Sequence, residues 1–298
     1  MKKSTIFLCA ICSLALVSAA QATPPTALYD NFTAPLLNPA KWFGGENDDA
    51  RANLENIRYI VGNRLRLYSR GYGASGLNLG TRFGGNILNF RNPNSINAIR
   101  ASVWANSATV TGCPGNPDVA HVRSRLGGTF FNASANPIPG DATYDVIAQI
   151  RVQRASNSID APNVVRVRYL VSLCQDINCL TGPTLGVGEI GPPVNPGQKV
   201  TLSLEWDKAH KRFIFRRDAL APAIVKYTLP DVSTPGSNYK NLQVGYFVAN
   251  CASATPPIAA MDAYFDDVYT NPLPAASAMS AEMEEIDPRF IIYGGSGP

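Results

Sequence analysis

Between Lys199 and Asp218 the chain reads KVTLSLEWDKAHKRFIFRRD. Val200, Leu202, Leu204 and Trp206 alternate with Thr201, Ser203 and Glu205, a period of two that predicts a strand with one buried face. The polar run Asp207–His210 ends it. Arg212–Arg217 then places Phe213 and Phe215 on one face and Arg212, Ile214 and Arg216 on the other, which predicts a β-hairpin. Comparable runs predict strands at Leu28–Phe32, Ile57–Val61, Arg64–Ser69, Ile96–Ala105, Val119–Phe131, Tyr144–Arg154, Val164–Cys174, Ala223–Leu229, Leu242–Cys251 and Met261–Tyr269. Leu77–Gly85 and Leu180–Gly197, rich in Gly with Asn or Pro, read as loops. No helical period longer than two turns precedes residue 275. The pattern therefore predicts an all-β sandwich or jelly roll, two antiparallel sheets face to face, of a size that can form one domain.

Composition supports this picture. Hydrophobic residues make up 45% of the 298, enough for a core, and 24 Gly and 23 Pro suit many short strands joined by turns. The N-terminus has the layout of a secretory signal: Lys2 and Lys3, the apolar run Ile6–Val17, and Ala20-Gln21-Ala22 before a cleavage point. The expected division is residues 1–22 as signal peptide, 23–272 as sandwich and 273–298 as a mobile or weakly helical tail. Export to the periplasm or beyond follows, and no later stretch is apolar for long enough to span a membrane. The tail carries Glu282, Glu284, Glu285 and Asp287 against Arg289. The body is then mildly basic, far from the footprint of a dedicated nucleic-acid binder. Cys9 and Cys12 fall in the signal. Cys113, Cys174, Cys179 and Cys251 remain, an even count that reads as two disulfides in an exported chain. The short turn between Cys174 and Cys179 favours pairing those two, leaving Cys113 with Cys251.

Three pieces resemble the concanavalin-like lectin/glucanase superfamily. LYDNF with the following Lys41-Trp42 is similar to its opening strand, TLSLEWD…FIFRRD to its central hairpin, and MDAYFDDV to its closing strand. The resemblance implies a jelly roll of two curved sheets, often carbohydrate-binding and sometimes glycan-cleaving. The glucanases of that group carry E-x-D-x-E on one strand. Here Glu205-Trp206-Asp207 is followed by Ala209 where the third acid belongs, so the pair reads as structural, with Asp207 starting a turn.

The middle strands suggest a site. His121, Arg123 and Arg125 share one face of their strand; Gln149, Arg151 and Gln153 share one face of the next; Arg166 and Arg168 share one face of the third. Side-by-side strands would gather these eight residues over an apolar underside. Arg and Gln forks suit sugar hydroxyls, and Arg suits carboxylates and sulfates. The alternative is a solvated sheet face whose Arg stems cover apolar surface. Tyr68, Tyr72, Phe130 and Phe131 are candidate sugar platforms, or ordinary core packing. Asp30 and Asp267, from strands at the two ends of the chain, could hold a structural calcium, although no dense D-x-D-x-D loop is present. Gly71–Gly76 spells G-x-G-x-x-G, but without a following helix it is a loop. The residues thus point to an exported, non-catalytic protein that binds a polysaccharide, neutral or anionic, with no cofactor. A glycan hydrolase or lyase with a non-standard acid pair and a structural envelope protein are the alternatives.

Overall fold

A computed structural model describes residues 25–45 and 54–272. The signal and tail readings fall outside those residues. The described chain has fifteen strands: β1 (Ala27–Asp30), β2 (Trp42–Gly45), β3 (Leu54–Val61), β4 (Arg64–Tyr72), β5 (Thr81–Phe90), β6 (Ala98–Val110), β7 (His121–Asn132), β8 (Asp145–Ala155), β9 (Arg166–Leu173), β10 (Thr184–Glu189), β11 (Lys199–Asp207), β12 (Arg212–Arg217), β13 (Ala223–Lys226), β14 (Lys240–Ala249) and β15 (Ile258–Thr270). They form two antiparallel sheets. One runs β13-β12-β11-β6-β15-β4-β3, with β1 also on β15; the other runs β10-β9-β8-β7-β14-β5-β2. This is the jelly-roll sandwich that the concanavalin-like resemblance implies. No helix among the described residues is long and apolar enough to cross a membrane.

The alternation dictates which side of each strand meets the core. Val146, Ala148, Ile150 and Val152 of β8 are fully buried, as are Val122 and Leu126 of β7 and Leu242, Val244 and Val248 of β14. They pack against Leu202, Leu204, Phe213, Phe215, Met261 and Phe265 of the opposite sheet in a single core. Burying each large aliphatic or Phe side chain stabilises the fold by about 1.5–3 kcal/mol. A one-residue slip of β8 would turn Arg151 into that core, so the register is tightly specified.

Two strands were read as loops from the sequence. β5 contains Gly84, Gly85, Asn86 and Asn89, residues that usually mark turns. Here they are packing devices. A Cβ on Gly84 would strike the Tyr246 ring, and Asn86 donates to Ile57 O while accepting from Arg58. β10 lies inside the Gly/Pro stretch and pairs with β9, and a Cβ on its Gly188 would meet the Tyr169 hydroxyl.

Both disulfides are formed. Cys113–Cys251 joins positions 138 residues apart, and Cys174–Cys179 closes a short loop. Asp207 is a turn cap: it accepts from His210 N and Nδ1 and from Arg212 Nε. His210 is therefore engaged in the hairpin turn while its ring stays exposed.

Candidate functional site

The second sheet has a side turned away from the core, and the registers there align residues in rows. β14, β7, β8 and β9 bring Gln243, Arg125, Arg151 and Arg168 directly abreast. The adjoining row is Gly245, Arg123, Gln153 and Arg166. On the other side come Asn241, Gly127 and Gln149, with Asn89 of β5 beside Asn241. Strands lie about 4.8 Å apart, so each row is a line of neighbouring side chains.

Part of this face floors a groove of about 690 Å³, with Arg151 and Gln153 on the sheet beside it. Arg123, Arg125, Gln149, Asn241 and Gln243 are on its floor; Phe43, Phe83, Ile87, Leu170 and Phe247 give it apolar surface. Two loops wall one end, and each has a polar anchor. Leu180–Gly182 follow the Cys174–Cys179 bridge, with Asp176 accepting from Leu180 N and Thr181 N. Gly236–Tyr239 are held by Asp145, which accepts from Gly236 N, Ser237 N and Asn132 Nδ2. Burial pushes the Asp145 carboxyl up to about 6 despite those donors.

The floor is not a solvated sheet face. Arg123, Arg125 and Arg151 are only 8%, 9% and 8% exposed, and Gln149 and Gln153 are 3% and 7% exposed. Arg125 Nη1 donates to Gln149 Oε1 at 3.2 Å, and its guanidinium meets the Tyr239 phenol. Arg123 lies over Phe247, 5.0 Å from the ring centre. Yet the Nε atoms of all three arginines, Gln153 Oε1 and both side-chain polar atoms of Gln243 have no hydrogen-bond partner. Burial, then the charges of Arg168 and Arg125, pushes the Arg151 guanidinium down to about 9. Burial and the neighbouring guanidiniums depress Arg123 as well. These are three crowded cations lacking an anion.

No described residue lining the groove is an Asp or Glu. At the outward positions of β5, β7, β8, β9 and β14 the one acid is Asp145, at the start of β8, and it is fully buried and held by Asn132, Gly236 N and Ser237 N. The sandwich places Glu205 and Asp207 elsewhere. Both project from the outer face of the opposite sheet, where Glu205 pairs with Arg216 at 2.9 Å and Asp207 caps its turn. That confines them to structural partners.

The eight residues singled out from the sequence lie on one sheet face, in different states. Arg123, Arg125, Gln149, Arg151 and Gln153 form the groove floor and its continuation. Arg166 and Arg168 lie toward the edge strand, and acids already hold them: Arg166 pairs with Asp160 at 2.7 Å and Glu189 at 3.1 Å, Arg168 with Glu189 at 3.6 Å. His121 stands at the far end with its ring stacked on Phe247, 4.6 Å between centres. Burial, then Arg123, holds its pKa well below the usual imidazole range, so it stays neutral.

The aromatic candidates do not line the groove. Phe130 and Phe131 pack in the core, and Tyr68 and Tyr72 lie on the outer face of the other sheet. The groove instead uses Phe43, Phe83, Tyr239 and Phe247. With Asn241 and Gln243, Phe247 was legible in NLQVGYFVA, where Asn241, Gln243, Gly245 and Phe247 alternate with Leu242, Val244 and Tyr246.

Asp30 and Asp267 have other partners. β1 meets β15 with Asp30 opposite Val268, but Asp30 accepts from Trp42 Nε1 at 2.7 Å and from Phe32 N. Asp267 faces Lys199 at 3.7 Å and Ser102. No group of three or more His, Cys, Asp or Glu suited to a metal occurs among the described residues.

No protein-family profile and no curated protein matches the chain. Among solved structures it is similar to LamAcat from Zobellia galactanivorans, at 12% identity over 83% of this chain and 98% of that one, with a TM-score of 0.40. It is also similar to a non-specific endo-beta-1,3(4)-glucanase from family GH16, at 14% identity over 84% and 99%, with a TM-score of 0.42. A third is a beta-porphyranase from the human gut bacterium Bacteroides plebeius, at 12% over 81% and 90%, with a TM-score of 0.37. These likenesses are weak in sequence and in superposition, and what the groove can bind is decided by its own side chains.

Proposed function

We propose that this is an exported, non-hydrolytic protein that binds an anionic polysaccharide in the Arg/Gln groove. One observation carries the proposal: Arg123, Arg125 and Arg151 are buried in the groove's sheet face with unpartnered Nε atoms, and no described lining residue is a carboxylate. Carboxylate or sulfate oxygens accept paired N–H groups from guanidinium, and such charge-assisted bonds are about twice as strong as neutral ones. Gln149, Asn241 and Gln243 add amides suited to hydroxyls, and the Phe surfaces suit the apolar faces of sugar rings. Two positioned carboxylates are the usual requirement for glycoside hydrolysis, and the groove offers none among the described residues. Two disulfides fit an oxidising, extracytoplasmic setting.

The test is electrophoresis of the secreted chain through gels containing polygalacturonate, dextran sulfate or neutral dextran, with reducing ends assayed in the same samples. Retention by the charged polymers alone, lost with added salt and without new reducing ends, is the expected result. Equal retention by neutral dextran would remove the role of the arginines. New reducing ends would make the protein an enzyme; if an ultraviolet-absorbing C4=C5 double bond accompanied them, the reaction would be elimination, which needs no acid pair.

A further inference from the structure

The groove's cations lack a counter-charge within the described chain, and the chain holds one outside it. We infer that the acidic C-terminal segment Ala281–Tyr293 docks over Arg123 and Arg125 in the groove and Arg151 beside it, in its own molecule, and competes there with the polysaccharide. This rests on the groove being an anion site.

Three observations support it. The first is where the described chain ends. Asn271 Nδ2 donates to Ser95 O at 2.8 Å, and Asn97 N donates to Asn271 Oδ1 at 2.9 Å. Asn271 is thereby tied beside the turn that contains Pro93, which lines the groove. The second is reach. Lys240 Nζ bonds both Pro93 O and Thr129 O, so Pro93 sits level with Thr129 on β7. Arg125 is four residues further along, roughly 13 Å at the strand rise. Glu282 is ten residues beyond Pro272, a tether that can extend to about 33 Å. The third is complementarity. The sequence EMEEIDPRFIIY joins Glu282, Glu284, Glu285 and Asp287 to Phe290, Ile291, Ile292 and Tyr293. The groove joins unneutralised guanidiniums to the Phe83 and Phe247 surfaces. Laid out as a strand, Glu282 and Glu284 would repeat at roughly 6.7 Å on one side, the spacing of Arg123 and Arg125 on β7.

The magnitude follows from tethering. A short flexible tether gives an effective concentration on the order of 1 mM. A free tail peptide with a Kd of about 0.1 mM would then correspond to a groove covered about nine-tenths of the time. The apparent affinity for polysaccharide would be about tenfold weaker than that of the uncovered groove.

The experiment uses the full secreted chain, a tail-neutralised version (E282Q/E284Q/E285Q/D287N), and that version with R125Q/R151Q added. A fluorescent peptide, Ala281–Pro298, is titrated onto both variants, and polygalacturonate onto the wild-type and tail-neutralised chains. Thermal melting confirms that each protein is folded. The peptide should saturate the tail-neutralised chain near 0.1 mM, be displaced by dextran sulfate, and fail to bind once Arg125 and Arg151 are replaced. The tail-neutralised chain should bind polygalacturonate about tenfold more tightly than wild type. No peptide binding, equal binding to the R125Q/R151Q protein, or measurable polygalacturonate binding left unchanged by tail neutralisation would overturn the inference. Peptide binding with no polysaccharide bound by either protein would uphold the docked tail and remove the polysaccharide reading, so the two fail separately.

Discussion

Arg151 lets stability and binding be pulled in opposite directions. Its guanidinium lies directly opposite Arg125 on one side and Arg168 on the other, in a sheet face 8% exposed at that residue. The depression of its pKa from the ordinary guanidinium range to about 9 places a cost on the charged side chain. At 1.36 kcal/mol per pKa unit that cost is roughly 3–5 kcal/mol. Coulomb's law agrees in scale: two unit charges about 6 Å apart at an effective dielectric of about 20 repel by roughly 3 kcal/mol. Replacement by Gln removes this cost but gives up part of the buried stem and leaves an amide to satisfy, together about 1–3 kcal/mol. We expect R151Q to be more stable by about 1–2 kcal/mol, a rise in melting temperature of roughly 2–8 °C for a domain of this size. Retention by polygalacturonate should weaken at least about tenfold, the loss of one charge-assisted contact of about 1.5–3 kcal/mol. Scanning calorimetry at pH 7 and low salt reads the first quantity and gel retention the second. A lower melting temperature with unchanged retention would refute the reasoning, because Arg151 would then be a structural residue without a ligand. The sign also sets a pH trend. The folded pKa lies below the unfolded one, so the penalty is complete below pH 9 and is relieved as pH rises above about 9.

Asp145 gives a second pH test. Its folded pKa of about 6 lies above the ordinary 3.8, so the ionised form is disfavoured in the fold. Lowering the pH from 7 to 4 should stabilise wild type relative to D145N by up to about 3 kcal/mol, read as melting temperature against pH, and parallel curves would show that Asp145 is not the source. E205Q should cost stability through the Arg216 pair yet leave retention on every polymer unchanged, since Glu205 is on the far side of the sandwich. A changed retention profile would contradict that placement. Removing Cys113–Cys251 as C113A/C251A should cost about 2–5 kcal/mol in denaturant unfolding, because the bridge spans 138 residues, and an unchanged midpoint would remove its structural role.

The fold was legible where the two sides of a strand differ in chemistry. β11, β12, β7, β8 and β9 each set aliphatic residues against polar ones, and a period of two assigns their faces without knowledge of their neighbours. β5 failed that test because its signals are relational. Gly84 is small to admit the Tyr246 ring, and Asn86 is polar to meet Arg58 and the Ile57 carbonyl. Neither requirement is visible until the strands are side by side. β10 was hidden similarly, by glycines that make room for Tyr169 and Val225.

The candidate site was legible in part for the same reason. Alternation identified the Arg and Gln faces of three strands, but it cannot tell a surface in full contact with water from the floor of a groove. That difference comes from elements far away in sequence: the loops at 178–182 and 236–239, and Phe43 at the opposite rim. Nor could alternation separate the arginines by availability. Arg166 and Arg168 have the same pattern as Arg123 and Arg125, yet Asp160 and Glu189 reach only the former pair. Acids therefore mark out the site by their distribution. At the sheet edge they neutralise arginines into structure; toward the centre they are withheld, and three buried cations are left with unfilled donors. Such crowding costs the fold stability. An anion seated among the three guanidiniums would relieve that repulsion and fill the donors at once.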